Sequence, residues 1–156
     1  MIDKQGYRAN VGIVLCNKDN QVLWAHRLAQ DDRAWQFPQG GIQHNEQPLQ
    51  AMYRELYEEV GLIPDDVQLL GETHDWLAYE FENTKLTSQG EKYIGQKQKW
   101  FLLRLLAAES KICLNKGDLP EFDAWRWVDY DYPIAHIVAF KKHVYQQALE
   151  LLRTYL

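Results

Sequence analysis

One helix-length segment places a row of glutamates beside an apolar stripe. Residues 47–60 repeat with the 3.6-residue period of an amphipathic helix. The predicted core stripe consists of Leu49, Met52, Tyr53, Leu56 and Val60. Glu55, Glu58 and Glu59 fall on a separate arc, and Ala51 on that arc leaves room beside the carboxylates. The segment therefore predicts a helix with one apolar and one acidic face.

The acidic face has two interpretations. Carboxylates three and four residues apart on a helix repel one another unless cations lie between them. Mg²⁺ takes oxygen ligands, usually a few carboxylates together with substrate phosphates. The spacing thus suits a site for one or more Mg²⁺ or Mn²⁺ ions. The alternative is a solvated face whose charge is balanced by Arg54 and by surface lysines.

The residues around this segment favour the metal site. Gly40 and Gly41 allow the backbone to turn sharply or to approach a ligand closely. Gly61 stands where a helix C-cap glycine belongs. Glu46 precedes the helix, and Arg54 can bind a carboxylate through two hydrogen bonds. These residues predict a helix that is held against a glycine turn.

Composition indicates one globular domain over residues 1–156, because 46% of the chain is hydrophobic and 25% is charged. The 17 basic residues against 22 acidic ones disfavour a protein that binds duplex DNA through its phosphates. The chain contains no apolar run of membrane-spanning length. Two cysteines without a C-x-x-C motif predict buried thiols. We therefore expect a cytoplasmic monomer with no membrane contact.

Hydrophobic patterning predicts a mixed α/β fold with a sheet covered on both faces. The predicted strands are 7–16, 21–27, 35–37, 67–81 with breaks, 100–106 and 125–128, the first two joined as a hairpin over 11–27. Residues 82–99 are polar and turn-rich, which predicts a binding loop or a mobile loop. A second helix is predicted over 140–156, with an apolar stripe made of Val144, Ala148, Leu151, Leu152 and Tyr155.

The segment from Gly40 to Leu62 resembles the Nudix box, G-x5-E-x7-R-E-U-x-E-E-x-G-U, in which U is a bulky aliphatic residue. The fixed positions all match, at Gly40, Glu46, Arg54, Glu55, Glu58, Glu59 and Gly61. The resemblance implies an α/β/α sandwich with a mixed β-sheet and a central carboxylate-bearing catalytic helix. It also implies hydrolysis of a phosphoanhydride bond with Mg²⁺ or Mn²⁺, with more than one ion in the site.

The resemblance also implies roles for individual residues. Glu55 and Glu59 are the expected main metal ligands, and Glu58 shares the metals or assists the base. Gly40 joins this metal site. Glu121, just before a predicted strand, is the candidate for a further ligand or for the general base; the alternative is an exposed loop acid.

Segments outside the box resemble one branch of the family, whose members act on 5′-triphosphorylated RNA ends and on dinucleoside polyphosphates. These segments are residues 6–12, 35–42, 51–56, 95–101 and 120–123. The resemblance implies conversion of an RNA 5′-triphosphate or diphosphate to a monophosphate, which promotes mRNA decay. A diadenosine tetra- or pentaphosphate hydrolase is the first alternative. A non-catalytic nucleotide-binding module is the second, and the complete glutamate set disfavours it.

Basic residues on the predicted strands are candidates for phosphate contact. Arg8 suits bidentate phosphate binding, with a strand-edge surface charge as the alternative. Lys97 and Lys99 lie on one face of a strand, so one of them is expected to reach phosphate unless both lie at a solvated strand end.

Nucleoside contacts are expected near the second helix. By the resemblance, Arg27 and Phe140 clamp a base of the RNA, although Phe140 alternatively anchors the final helix in the core. Val138 and Lys141, on either side of Phe140, and Tyr79 complete the predicted substrate-binding residues.

Overall fold

Eight strands form one mixed sheet in the computed structural model, which describes residues 2–156. The strands are β1 Tyr7–Cys16, β2 Val22–Arg27, β3 Trp35–Gln36, β4 Gln39–Gly41, β5 Val67–Glu72, β6 Leu77–Leu86, β7 Lys92–Leu105 and β8 Phe122–Val128. The α-helices are α1 Pro48–Val60, α2 Tyr132–His136 and α3 Lys142–Leu152. Single turns of 3₁₀ helix span Pro64–Asp66, Glu109–Lys111, Ala139–Lys141 and Arg153–Tyr155.

The centre of the sheet is a parallel pair, β1 with β7, in register from Tyr7↔Gly95 to Cys16↔Arg104. The strand order is β3-β2-β1-β7-β5; β4 also pairs with β1, β6 with β7 and β8 with β2, all antiparallel. The predicted hairpin over 11–27 is paired next to its turn, at Cys16↔Val22, because β4 pairs with Asn10–Gly12 farther along the same edge of β1. This pairing places the Gly40 turn directly beside the central strand.

Two separate cores cover the two faces of the sheet. Along β1, Val11 and Ile13 pack into the core that contains Leu56 of α1. Val14 packs into the opposite core, which contains Leu149 of α3. This alternation is the period of two expected for a strand buried on both faces. The α/β/α sandwich is therefore confirmed.

Helix α1 begins at Pro48 and ends before Gly61, close to the predicted bounds. The backbone N–H of Gly61 donates to Tyr57 O at 2.9 Å, with a φ of +78° that favours glycine. The predicted core residues Met52, Leu56 and Val60 are fully buried and Tyr53 is half-buried. The prediction for Leu49 is wrong. Its first-turn side chain is exposed and lines a shallow surface pocket with Lys99 and Phe101.

The C-terminal helix buries three of the five residues of its predicted stripe, namely Val144, Ala148 and Leu152. Leu151 and Tyr155 are exposed, whereas Tyr145 and Leu149 are buried. Two neighbouring sets of apolar residues on this helix fit the same 3.6-residue period. Tyr145 favours the set that is buried, because its hydroxyl accepts a hydrogen bond from Phe37 N–H at 3.1 Å. The sequence reading also missed the short helix α2, which has a proline in its first turn.

The predicted loop over residues 82–99 is instead an antiparallel hairpin of β6 and β7. The alternation of apolar and polar residues that indicates a strand is absent from this part of the sequence, because the buried positions of β7 carry the polar side chains Gln96 and Gln98. Gly95 is required there, since a Cβ at this position would lie 2.0 Å from Tyr79 O. The hairpin builds one wall of the cleft described below.

Two further expectations concern the cysteines and the membrane. Cys16 is a buried free thiol, as predicted, whereas Cys113 is half-buried. Among residues 2–156, every helix is too short or too polar to cross a bilayer.

Candidate active site

A cleft of about 1320 Å³ runs between the acidic helix and the β6–β7 hairpin. Glu55 and Glu121 line it together with the Gly40–Gly41 turn. The same cleft is lined by the cations and aromatic residues predicted for substrate, namely Arg8, Arg27, Tyr79, Val138, Phe140 and Lys141. The structure therefore brings an acidic wall and a basic, aromatic wall to one cavity.

Two glutamates of α1 are buried. Glu55 is 7% exposed and Glu59 is 3% exposed. Both carboxylate oxygens of Glu59 lack a hydrogen-bond partner among the residues that the structure describes. Burial, followed by the nearby Glu121 and Glu55, holds the pKa of Glu59 well above its ordinary range. An ionised carboxylate in this position costs several kcal/mol unless a cation neutralises it, on the order estimated for buried ions.

Arg54 ties the acidic helix to the loop before it. Its Nε and Nη2 donate to the two carboxylate oxygens of Glu46 at 2.8 and 2.9 Å, and Nη2 also donates to Gly41 O at 2.8 Å. Its Nη1 donates to Glu55 Oε1 at 2.6 Å and lies 3.5 Å from Glu58 Oε2. These hydrogen bonds hold the pKa of Glu46 below its usual range. The guanidinium thus fixes the glycine turn and orients Glu55.

The glycine turn lies against the carboxylate of Glu55. A Cβ at Gly40 would lie 2.0 Å from Glu55 Cδ, so no other residue fits without moving the carboxylate. Strand β4 is held in this place by pairing with β1, at Val11↔Gly40. Backbone and carboxylate therefore meet, as expected for a helix that is held against a glycine turn.

Glu121 reaches the same site from the start of β8. Its carbonyl accepts a hydrogen bond from Leu28 N–H at 2.8 Å, which fixes the backbone. Its exposed carboxylate lies near Glu55 and Glu59, and it contributes to the raised pKa of both. Glu58 is also exposed, at the solvent side of the group. Glu55 and Glu121 therefore line one end of the cleft, Glu59 is buried next to both, and Glu58 lies outside the lining, on the other side of Arg54.

The opposite wall combines aromatic rings with cations. Phe140 is half-buried, with its ring centroid 5.7 Å from that of Tyr79. Phe140 packs against the core and also lines the cleft, so the core contact is observed and the base clamp stays a prediction. Arg8 lies 5.7 Å from the ring centroid of Tyr93 and beside Gly41.

The structure does not bring Lys97 and Lys99 to the cleft. They flank the ring of Trp76, at 4.9 and 5.1 Å from its centroid. Lys97 Nζ also lies 3.2 Å from Asp3 Oδ2, and Lys99 donates to His74 O. Their strand turns the opposite face toward the cleft, so the phosphate contact expected for one of them has no support in this geometry.

The comparisons with known proteins agree with this site. The family model described as NUDIX domain matches residues 6–148.

The chain belongs to the Nudix family.

Among its Nudix relatives, the RNA pyrophosphohydrolase of Francisella philomiragia is 55% identical over 156 residues, covering 100% of this chain and 99% of that protein. The RNA pyrophosphohydrolase of Halorhodospira halophila is 54% identical, covering 100% and 85%. The structure of the E. coli dihydroneopterin triphosphate pyrophosphohydrolase matches with a TM-score of 0.69 at 20% identity, covering 93% of this chain and 98% of that one. At this identity, the structural likeness shows the fold alone.

The donor set of this Nudix site fits a hard divalent cation. Among residues 2–156, no three His, Cys, Asp or Glu side chains are grouped as closely as in a formed metal site. The available donors are nevertheless all oxygens, and Glu59 is buried without a partner. Nudix hydrolases generally use a divalent metal, and Glu55, Glu58, Glu59 and Glu121 are the residues that would hold it here.

A buried amide network beneath the cleft was missed by the sequence reading. Gln39 Nε2 and the Tyr79 hydroxyl donate to Gln96 Oε1 at 3.1 and 2.6 Å. Gln98 Nε2 donates to Asn10 Oδ1 at 2.8 Å. The alternation Gln96-Lys97-Gln98-Lys99 indicates one amide face and one charged face of the strand, and only the charged face was predicted to contact substrate. These hydrogen bonds connect Gln39, the neighbour of Gly40, through Gln96 to Tyr79 of the aromatic wall.

A brace behind Glu121 was also missed. His26 Nδ1 lies 2.6 Å from Asp123 Oδ1, and its Nε2 lies 2.8 Å from Asp31 O. The hydrogen bond with Asp123 raises the pKa of His26. The contact between His26 and Asp123 joins β2, which carries Arg27, to the start of β8. It therefore helps to fix the backbone next to Arg27 and next to Glu121. The alternation of a single strand gives no hint of such a pair.

Proposed function

We propose that this Nudix hydrolase is an RNA 5′-pyrophosphohydrolase. It hydrolyses a phosphoanhydride bond at a 5′-triphosphate or 5′-diphosphate RNA end and leaves a 5′-monophosphate. The observation that carries the proposal is the cleft itself: the unpartnered carboxylate group of Glu59 lies behind one end, and aromatic and cationic residues line the other. Full-length identity of 55% to a protein named RNA pyrophosphohydrolase supports the substrate class.

The metal requirement is Mg²⁺ or Mn²⁺, with more than one ion per site. Glu55 and Glu59 are the main ligands, and Glu58 and Glu121 complete the set, beside the Gly40 backbone. When bound, such ions polarise phosphate oxygens and lower the pKa of a water molecule. Arg54 contributes by orienting Glu55 through a 2.6 Å hydrogen bond, which opposes the rise in the pKa of Glu55 that burial causes.

The remaining residues position the phosphates and move the proton. Arg8 lies beside Gly41 in the cleft, where its guanidinium binds phosphate oxygens and offsets their charge. The exposed carboxylate of Glu121 accepts a proton from the attacking water and returns it to solvent. Phosphoryl transfer depends mainly on such positioning and charge neutralisation.

The RNA base is held by the other wall. Phe140 presents a half-buried ring to the cleft, and Arg27 lines the same cavity with an exposed guanidinium. A base that stacks between an aromatic face and a guanidinium plane is a common arrangement in RNA recognition. Val138 adds an apolar contact, and the buried Tyr79 supports the Phe140 ring from behind.

In the cell this activity promotes mRNA decay, because ribonucleases attack 5′-monophosphorylated RNA more readily. We further propose that residues 1–156 act as one domain and one cytoplasmic monomer, without binding duplex DNA.

A dinucleoside polyphosphate hydrolase is the second candidate. One observation favours it: the cleft, at about 1320 Å³, has room for a second nucleoside. A Caenorhabditis elegans Ap4A hydrolase also shares the fold, with a TM-score of 0.60 at 17% identity. A non-catalytic module is disfavoured because the glutamate set is complete.

A direct competition assay tests the proposal. Purified protein with Mg²⁺ is given a 5′-triphosphorylated RNA oligomer and diadenosine tetraphosphate in separate reactions, and kcat/KM is compared. We expect RNA to be preferred by about tenfold or more, as one additional buried contact would give. A preference for the dinucleotide would refute the RNA assignment. Glu59→Gln protein purified in parallel controls for a contaminating hydrolase.

A further inference from the structure

Three cationic side chains line the cleft on its aromatic side: Arg27, Lys85 and Lys141. Lys141 is only 7% exposed, and its Nζ lies 5.5 and 5.9 Å from the ring centroids of Tyr79 and Phe140. Lys85 is exposed, with its Nζ 4.3 Å from the Phe81 centroid. The three charges are close enough that Arg27 and Lys85 both act on Lys141.

None of these three cations has a carboxylate partner within ion-pair distance among residues 2–156. Five other basic side chains have such partners, namely Arg33, Arg54, Lys97, Lys111 and Arg153. Of the lysines and arginines without one in residues 2–156, Lys141 alone is buried. Within the described residues 2–156, the one hydrogen bond of the Lys141 ammonium is to Gln36 Oε1, at 3.4 Å. A buried ammonium without a counter-charge, next to two like charges, is unfavourable unless an anion joins it.

The electrostatics agree with this geometry. Burial, followed by Arg27 and Lys85, lowers the pKa of Lys141 to about 8. Burial and Arg27 also lower the pKa of Lys85. An anion placed among the three would relieve their repulsion.

Lys85 and Lys141 contact the aromatic wall, whereas Arg27 pairs with Phe122, the neighbour of Glu121. A series of contacts leads from Glu55 to the Gly40 turn, then from the neighbouring Gln39 through Gln96 to Tyr79, and from Tyr79 to Lys141. A phosphate that binds Lys85 and Lys141 therefore takes a different place in the cleft from the phosphates held at the glutamates. Along an RNA strand, the next phosphate follows one nucleoside later, and the aromatic wall lies between the two positions.

We propose that Arg27, Lys85 and Lys141 form a second anion subsite, which binds the phosphodiester that follows the first nucleoside of the RNA substrate. The inference rests on the proposed function and extends it. Lys85 is then a specificity-determining residue. It favours an RNA chain over nucleoside triphosphates and dinucleoside polyphosphates, which lack this phosphodiester.

The test pairs a change of protein charge with a change of substrate charge. Wild-type and Lys85→Gln proteins are compared on a 5′-triphosphorylated RNA trinucleotide, on the same trinucleotide with neutral methylphosphonate linkages, and on ATP. We expect Lys85→Gln to raise KM for natural RNA about fivefold, as for loss of one partly exposed ion pair, with kcat within about twofold. It should leave KM for the neutral RNA and for ATP unchanged.

Two matched variants control for general charge effects. Lys92→Gln removes a lysine of the same hairpin that does not line the cleft, and Lys142→Gln removes the exposed neighbour of Lys141. Neither should change KM for any of the three substrates. An equal effect of Lys85→Gln on natural and neutral RNA would overturn the subsite, as would an equal effect on ATP. Those results leave RNA hydrolysis intact, whereas wild-type protein inert toward RNA would refute the proposed function and the subsite together.

Discussion

Helices α1 and α3 are similar amphipathic helices on opposite faces of one sheet, yet they bury different chemistry. Helix α3 buries only apolar and tyrosine side chains, among them Val144, Tyr145 and Leu149. Helix α1 buries Met52, Leu56 and Val60, but also two glutamates. Helix α3 is what packing alone requires, and helix α1 departs from it at the positions that face the cleft.

The difference separates stability from function. Apolar burial stabilises the fold, whereas an unpaired buried carboxylate opposes it. Glu59 therefore identifies where the molecule gives up stability, at the proposed cation site. Variants of the α1 glutamates should accordingly lower activity more than the free energy of unfolding. Variants of the α3 core residues should lower the free energy of unfolding more than activity.

The largest effect is expected from Glu59→Gln and Glu55→Gln in α1. Each should lower kcat on triphosphorylated RNA by about 10²–10³, the scale for loss of a key electrostatic group. The metal-free melting temperature of Glu59→Gln should stay equal or rise, because a buried charge without a partner is removed. Glu150→Gln, at an exposed position of α3, is the matched control and should change neither quantity. Near-normal kcat in either α1 variant would exclude that residue from the metal site.

Leu149→Ala in α3 should show the reverse pattern. Leu149 is fully buried, so the substitution should lower the free energy of unfolding by about 2–5 kcal/mol, the usual cost of a buried Leu→Ala change. The kcat of the folded protein should stay within about twofold. Denaturant unfolding measures the first quantity and steady-state kinetics the second. Leu151→Ala, at an exposed position, should cost less than about 0.5 kcal/mol.

Gly40→Ala tests the contact between the glycine turn and α1. The new Cβ would lie 2.0 Å from Glu55 Cδ, so the carboxylate must move. We expect kcat/KM to fall by about 10- to 100-fold, the scale for a displacement near 1 Å at a reacting site. The far-ultraviolet circular dichroism spectrum should not change. A variant with full activity would show that the position of Glu55 is not critical.

The smallest effect concerns the pH dependence of stability. Burial raises the pKa of Glu59 in the folded protein above its ordinary value of 4.5, so folding opposes ionisation. The stability associated with this group is complete below pH 4.5 and is lost as pH rises through the folded pKa. Each unit of difference corresponds to about 1.4 kcal/mol.

The measurement is the free energy of unfolding of Glu59→Gln minus that of wild type, in a chelating buffer. This difference should grow with pH across the window and then level off. A difference that stays constant from pH 4 to pH 8 would show that the Glu59 carboxylate is not destabilised by burial.

The acidic end of the cleft was predictable because its signals are local. The helix period, Gly61 and the Gly40–Arg54 spacing all lie within one segment, and the structure brings those residues together as expected. Glu121 lies far along the chain and was accessible only through the family resemblance.

The basic end was not predictable in the same way. Whether Gln96 or Lys97 faces the cleft depends on the parallel pairing of β7 with β1, which joins residues far apart in the sequence. The polar inward positions of the β6–β7 hairpin also hid Lys85 in an apparent loop. The buried stripe of α3 was partly misassigned for a related reason, since the partner of Tyr145 lies in a distant segment.

Calorimetric titration with Mn²⁺ tests the central claim most directly, because it needs neither substrate nor turnover. Wild-type protein should bind Mn²⁺, and Glu59→Gln should weaken that binding by about tenfold or more, as loss of a metal-site residue does. Glu150→Gln should bind as wild type does. Wild-type protein that takes up no Mn²⁺, or Glu59→Gln protein that binds it with unchanged affinity, would contradict the account.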